Sequence, residues 1–205
     1  DRAFHIEPDK ISKLANSYML GMRKAGMSAV GKHFPGHGSV IEDSHISIPL
    51  DNRQFDDILL QDIIPFKALI EAGIPGLMPA HITFPEIDDR PAGFSSIWLN
   101  EILRKQLKFK GTIFSDDLSM KGAETVGDYI ERTVLALEAG CDMALVCNNR
   151  EGVTYILDNM GKIDDNKSRE HLENMRGKFS FTYLELKTRK IWQEKSNEIN
   201  NFLHN

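Results

Sequence analysis

The chain has 205 residues but only two cysteines, no long apolar run and no excess of basic residues. Cys141 and Cys147 flank a short apolar segment typical of a strand, in which six residues span roughly 20 Å. A disulfide requires Cα atoms within about 7 Å, so these two thiols should not pair with each other. We expect both to be buried free thiols in a reducing compartment.

The other absences exclude further classes of protein. No segment approaches the roughly 18 apolar residues of a membrane span, and the chain opens with neither an initiator Met nor a signal-peptide pattern. We therefore expect N-terminal sequence to be missing. The net charge of −5 argues against a general nucleic-acid or anionic-membrane partner. What the chain does have, 41% hydrophobic and 27% charged residues, is typical of a globular domain.

Short apolar strands alternate with amphipathic helices along the chain. The predicted strands lie in "MSAVGKHF", "IPGLMPAHI", "GTIFSDDLSM" and "CDMALVCNN", and a helix follows each. This alternation predicts a parallel sheet that is covered by helices on both faces. A Rossmann-like sheet is the competing architecture, but no G-x-G-x-x-G follows any of these strands.

Each predicted strand ends in polar residues, at the edge where (β/α)₈ barrels assemble their active sites. Only four βα units are present, whereas a complete barrel has eight in about 250 residues. We therefore predict an α/β, TIM (β/α)₈ barrel fold of which residues 1–160 supply about the C-terminal half. Residues 161–205 are predicted to be a helical extension of the same domain, with two polar-faced helices joined by "SFTYLEL".

Two of the predicted helices carry specific expectations. Pro65 should kink the helix in "FDDILLQDIIPFKALIEAG" or divide it into two. In "DYIERTVLALEAG", apolar spacing predicts that Ile130, Thr133, Val134 and Leu137 face inward.

The segment "KHFPGHGSVIEDSH", residues 32–45, holds three of the seven histidines. Three histidines and two acids suggest a zinc site. However, His33, His37 and His45 lie across a strand end and a Pro-Gly turn, without an H-E-x-x-H or C-x-x-C pattern. We therefore predict no catalytic metal and no other cofactor.

The end of the same segment suggests acid/base chemistry. Asp43 and His45 are separated by one residue, so a carboxylate there could fix the imidazole tautomer and raise its basicity. Such a pair can give a proton to a leaving group and later take one from water. A solvated Asx turn is the structural alternative, and composition alone leaves the two open.

The segment "FSDDLSM" favours the catalytic interpretation. Asp116 and Asp117 follow the predicted strand "GTIF", and adjacent side chains in an extended backbone point in opposite directions. One carboxylate can therefore enter a site while the other, Asp117 by preference, caps the next turn. Lys32, at the end of the first strand, could bind a hydroxyl or carboxylate of a ligand. Arg2 has no role that local pattern assigns.

In this order, "GKHFPGHG…DSH" and "FSDDLSM" resemble the β-N-acetylglucosaminidases of glycoside hydrolase family 3, of the cytoplasmic peptidoglycan-recycling type. "DRAFH", "MPAHITFP", "RPAGFS" and "AGCDMALVCN" fit the same family, so the resemblance covers nearly the whole chain. It implies a TIM-barrel, retaining exo-enzyme that removes terminal GlcNAc from GlcNAc-1,6-anhydro-MurNAc peptides in cell-wall recycling. It also implies a cytoplasmic protein, monomeric at full length, whose partner is a carbohydrate and not a nucleic acid or membrane.

The resemblance also assigns roles to individual residues. Asp116 matches the nucleophile, His45 the acid/base and Asp43 its dyad partner. Three further residues match positions that hold the sugar hydroxyls and the N-acetyl group: Arg2, Lys32 and His33.

Three alternatives remain at this point. A family 3 GlcNAc phosphorylase is the nearest, because a histidine acid/base avoids repulsion between a carboxylate and incoming phosphate. A non-catalytic sugar-binding fragment is the second, although intact Asp116, Asp43 and His45 count against it. A metal-dependent hydrolase that uses the histidine cluster is the third. Since nothing corresponds to the first barrel strands, the 205-residue chain alone should be an unclosed barrel with exposed strand edges.

Overall fold

A computed structural model describes residues 3–40, 49–162, 166–178 and 181–203. Its main sheet has four parallel strands: β1 (Val30–Phe34), β2 (Gly76–Pro79), β5 (Thr112–Asp117) and β6 (Met143–Leu145). Their spatial order, β1-β2-β5-β6, is also their order along the chain. A doubly wound sheet reverses its strand order at a switch point, and the described strands contain no such reversal. The prediction of a parallel α/β fold is confirmed.

Helices connect consecutive strands. Between β1 and β2 lie α2 (Phe55–Leu60) and α3 (Ile63–Glu71), so the predicted helix is divided, with Pro65 in the first turn of its second part. A π-helix (Ile97–Gln106) lies between β2 and β5, and α4 (Lys121–Glu124) and α5 (Tyr129–Ala139) lie between β5 and β6. Helix α1 (Pro8–Lys24) precedes the sheet, and α6 (Arg150–Asn159) follows it.

An aromatic cluster under the sheet forms the centre of the core. The ring of Trp98, fully buried on the π-helix, lies 4.9 Å from that of Phe84 and 6.0 Å from that of Phe34. Phe66 of α3 packs edge-on against Phe34 at 5.5 Å. These rings come from β1, from the β1–β2 connection and from the β2–β5 connection, so they pack the end of β1 against two consecutive crossovers.

Two features differ from the sequence expectations. Strands β3 (Thr83–Phe84) and β4 (Asp88–Pro91) form a small antiparallel hairpin that apolar patterning did not predict. On α5, Thr133 is buried as expected, but Ile130, Val134 and Leu137 are only half-buried, and Arg132 is buried instead. The helix must turn Arg132 inward because loop carbonyls lie there to accept its hydrogen bonds.

The segment after residue 160 also differs in detail. It forms α7 (Asn166–Glu173), α8 (Tyr183–Thr188) and α9 (Lys190–Leu203), so much of the expected link is itself a helix, begun by a capping box at Thr182. Helix α7 packs at the amino ends of the strands, where the Thr112 hydroxyl donates to the carbonyl of His171 at 2.8 Å. No helix in the described residues has the length and apolarity of a bilayer span.

Candidate active site

Polar side chains from several strands converge at the carboxyl edge of the sheet. His33 at the end of β1 and Asp116 near the end of β5 bring Nε2 and Oδ2 to within 3.7 Å. The sequence had suggested that Asp116 follows the strand. Strand β5 instead continues through Asp117, so Asp116 belongs to the strand. The structure therefore brings together two of the predicted site residues that lie 83 positions apart.

Asp116 is held in one orientation. The residue is only 9% exposed, and its Oδ1 accepts the backbone N–H of Asp117 at 2.8 Å. The other oxygen, Oδ2, is the one that faces His33. A carboxylate fixed through one oxygen, with the second directed at a site, is an arrangement suited to a nucleophile or to an electrostatic stabiliser.

The neighbouring carboxylate has a structural role. Asp117 Oδ1 accepts hydrogen bonds from the Ser119 N–H, the Ser119 hydroxyl and the Cys147 N–H, at 2.8 to 2.9 Å. It therefore closes the turn after β5 and joins it to the end of β6. The prediction that the two carboxylates diverge is confirmed, and Asp117 caps this turn, whereas α4 begins after Met120 without a side-chain cap.

Arg132 of α5 binds the turn that follows β5. Its Nη1 donates to the carbonyl of Leu118 at 2.8 Å, and its Nε donates to the carbonyl of Gly127 at 2.7 Å. Its guanidinium also lies over the ring of Tyr129, 5.0 Å from the centroid. A charged residue on a helix gave no local signal of this role, because its partners are backbone carbonyls of the segment that precedes the helix.

His81, two residues after the end of β2, is a further residue that the sequence did not single out beyond its place at a strand end. It is 1% exposed and stacks on Phe94, with ring centroids 5.6 Å apart. Its Nε2 lies 3.1 Å from the carbonyl oxygen of Asp117, which can only accept, so Nε2 carries the proton. Burial lowers the pKa of His81 below its ordinary value, against the opposing influence of Asp116 and Asp117, and with a smaller lowering from Arg132.

The turn after β1 packs on a partly buried ionic cluster. A Cβ at Gly36 would lie 2.6 Å from both Cβ and Oδ1 of Asp62, so only glycine fits there. Arg53 binds Asp62 Oδ2 at 2.8 Å and Asp51 Oδ2 at 2.7 Å. Burial alone would raise the pKa of Asp51, but hydrogen bonds and charge from Arg53 outweigh it and keep that pKa low. The hydrogen bond to Asp51 and the contact with Asp62 raise the pKa of Arg53.

The remaining predicted residues divide into two groups. Lys32 lies in β1, beside His33, with an exposed side chain. Arg2, Asp43 and His45 lie outside the described residues, so the acid/base dyad stays a prediction. Both cysteines are free, as expected, but Cys147 is exposed, because it lies at the open edge after β6. Within the described ranges no three His, Cys, Asp or Glu side chains group as a metal site.

Comparison with known proteins identifies the family of this chain. The family model described as "Glycosyl hydrolase family 3 N terminal domain" matches residues 1–174. The chain is 50% identical over 200 residues to a beta-hexosaminidase of Thioalkalivibrio sulfidiphilus, covering 98% of this chain and 57% of that protein. It is also 50% identical over 195 residues to a beta-hexosaminidase of Idiomarina loihiensis, covering 95% and 59%. The chain thus spans less than two thirds of these relatives.

A solved structure resembles the chain closely. NagZ from Neisseria gonorrhoeae, in complex with N-trifluoroacetyl-D-glucosamine, superimposes with a TM-score of 0.84 at 38% identity, covering 94% of this chain and 56% of that one. A second crystal structure of that protein is a complex with zinc ion, with a TM-score of 0.84 at 36% identity, covering 94% of this chain and 55% of that one.

Proposed function

The chain belongs to glycosyl hydrolase family 3, and we propose that it carries the catalytic carboxylate of a retaining exo-β-N-acetylglucosaminidase. One observation carries the proposal. Asp116 is a nearly buried carboxylate at the carboxyl edge of the sheet, with Oδ1 bound by a backbone N–H and Oδ2 directed toward His33. The beta-hexosaminidases that are about 50% identical support the same class of reaction.

We further propose that residues 1–160 form about half of a TIM barrel and that residues 161–205 extend the same domain. The edge strands β1 and β6 support this, since Val30 and Met143 are each 37% exposed on strands that could pair with others. The strand order supports it too, because each connection between the described parallel strands leads to the next position in the sheet in the same direction, as in a barrel. His171 of α7, bound to Asp142 at 2.8 Å, supports a single domain.

The proposed reaction proceeds in two steps. In the first, Asp116 Oδ2 attacks the anomeric carbon while His45 gives its proton to the leaving glycosidic oxygen, so the sugar–oxygen bond breaks and a glycosyl ester forms. In the second, His45 removes a proton from water, the water oxygen attacks the same carbon, and the ester bond to Asp116 breaks. Asp43 would hold the imidazole in the required tautomer.

Substrate binding is proposed for the two residues at the end of β1 and for one residue near the start of the chain. His33 is within reach of the sugar because it contacts Asp116, and exposed Lys32 lies beside it. Arg2 would join them from outside the described residues. The neighbouring NagZ structure contains an N-acylated glucosamine, which supports GlcNAc as the unit that is bound. We propose muropeptide fragments as the substrate, in cytoplasmic cell-wall recycling by a monomeric protein.

The test is hydrolysis of 4-nitrophenyl β-GlcNAc by the whole protein, with Asp116→Asn and His45→Ala as variants. Both should lose kcat, whereas Glu101→Gln, which removes an exposed carboxylate on the π-helix, should behave as the wild type. Proton NMR of the first product should give the β-anomer. An α-anomer, or full turnover by Asp116→Asn, would reject the mechanism. Release of GlcNAc-1-phosphate in phosphate buffer would identify a phosphorylase instead.

A further inference from the structure

His81 is connected to Asp116 through the backbone of a single residue, Asp117. The His81 Nε2–H donates to the carbonyl of Asp117, and the N–H of the same residue donates to Asp116 Oδ1. The first hydrogen bond is 3.1 Å long and the second 2.8 Å. A displacement of the Asp117 backbone would therefore change the direction in which the Asp116 carboxylate points.

The contribution of His81 to folding is small for a buried polar residue. Its Nδ1 is buried and has no hydrogen-bond partner among the described residues. An unpaired buried nitrogen costs stability, which offsets the gain from the bond at Nε2. The Asp117 carbonyl also accepts the Met120 N–H at 3.1 Å, so it would keep a partner if His81 were lost. An apolar residue would fill this position at little cost to stability.

A buried polar group with an unsatisfied atom calls for an explanation other than packing. The turn after β5 is held by hydrogen bonds from several sides. Arg132 holds the Leu118 carbonyl, and the Asp117 carboxylate binds the side of β6. Only His81 approaches the turn from the β2 side among these hydrogen-bonding groups.

We propose that His81 is a positioning residue that orients the Asp116 carboxylate through the backbone of Asp117. The inference rests on the proposed role of Asp116 as nucleophile. His81 does not act as an acid or base in this role, because its ring is buried and, among the described residues, its hydrogen bond is to a backbone carbonyl. Its contribution is geometric, and it is specific to the N–H at Nε2.

Two substitutions isolate that N–H in the whole protein. His81→Met and His81→Gln both remove the ring and its stacking on Phe94, but only glutamine retains a donor near the position of Nε2. His171→Leu serves as the control, since it removes a histidine hydrogen bond at the opposite end of the sheet. The measurements are kcat and KM for 4-nitrophenyl β-GlcNAc, together with the thermal unfolding midpoint.

We expect His81→Met to lower kcat by on the order of 10-fold to 100-fold, with little change in KM or in the unfolding midpoint. His81→Gln should recover most of that loss, and His171→Leu should keep the wild-type kcat. Equal kcat values for His81→Met and wild type would overturn the inference, as would equal losses in the two His81 variants. Turnover by Asp116→Asn would instead overturn the proposed function, so the two failures are distinguishable.

Discussion

Substitutions at Asp117 separate the roles of the two adjacent carboxylates on β5. In the folded protein Asp117 Oδ1 alone accepts both backbone donors, the N–H groups of Ser119 and Cys147. Asn keeps that oxygen and so should retain both bonds. Ala removes it and leaves two N–H groups without their acceptor. Each such loss lowers the free energy of unfolding by about 1–3 kcal/mol when the group is fully buried.

Water can reach part of this turn, because Cys147 is exposed, so the lower end of that range applies to each N–H. The expected loss for Asp117→Ala is then about 2 kcal/mol in the free energy of unfolding. For a domain of this size, that corresponds to a fall of roughly 4–8 °C in the unfolding midpoint. Asp117→Asn should lose much less and keep most of its kcat.

The assay compares these variants with Asp116→Asn by calorimetry and by turnover of 4-nitrophenyl β-GlcNAc. Asp116→Asn should keep its unfolding midpoint within a few degrees and lose at least about 10³-fold in kcat. If Asp117→Asn were as inactive as Asp116→Asn while remaining folded, both acids would act in the reaction, and the purely structural role of Asp117 would be wrong.

Three further predictions follow from the structure. Burial lowers the pKa of His81, so below pH 6.5 the unfolded chain binds a proton that the folded protein excludes. The free energy of unfolding should therefore fall as the pH drops below 6.5, and His81→Met should weaken this dependence in melting curves. Gly36→Ala should lower the free energy of unfolding by about 1–3 kcal/mol in urea titrations, through its clash with Asp62, and an unchanged midpoint would show that the turn can move away. Dialysis against a chelator should leave kcat unchanged, and its loss with recovery on adding Zn²⁺ would favour the metal-dependent alternative.

Apolar patterning was sufficient for the order and direction of the strands. Pro65 indicated either a kink or a division of its helix, because proline cannot donate within a helix interior, and the structure has the division. Apolar patterning failed for the β3–β4 hairpin, since Asp88, Asp89 and Pro91 have low strand propensity and the pairing is set by tertiary contacts.

Site residues could be predicted where their roles follow from neighbouring positions in the sequence. Asp116 and Asp117 could be assigned different roles because neighbouring side chains of a strand point apart. Arg132 and His81 could not, since their partners are the carbonyls of Leu118 and Asp117, and a carbonyl carries no sequence signal. The exposure of Cys147 was missed for a related reason, because the end of β6 lies at an open edge of the sheet.

The central claim is that Asp116 forms a covalent bond to the sugar. Incubating the whole protein with a 5-fluoro-GlcNAc fluoride, followed by proteolysis and mass spectrometry, tests it directly. We expect one fluorinated GlcNAc residue on the peptide that contains "FSDDLSM", with fragmentation assigning it to Asp116, and no label on Asp116→Asn. A label on Asp117 or elsewhere, or continued turnover of the reagent by Asp116→Asn, would contradict it.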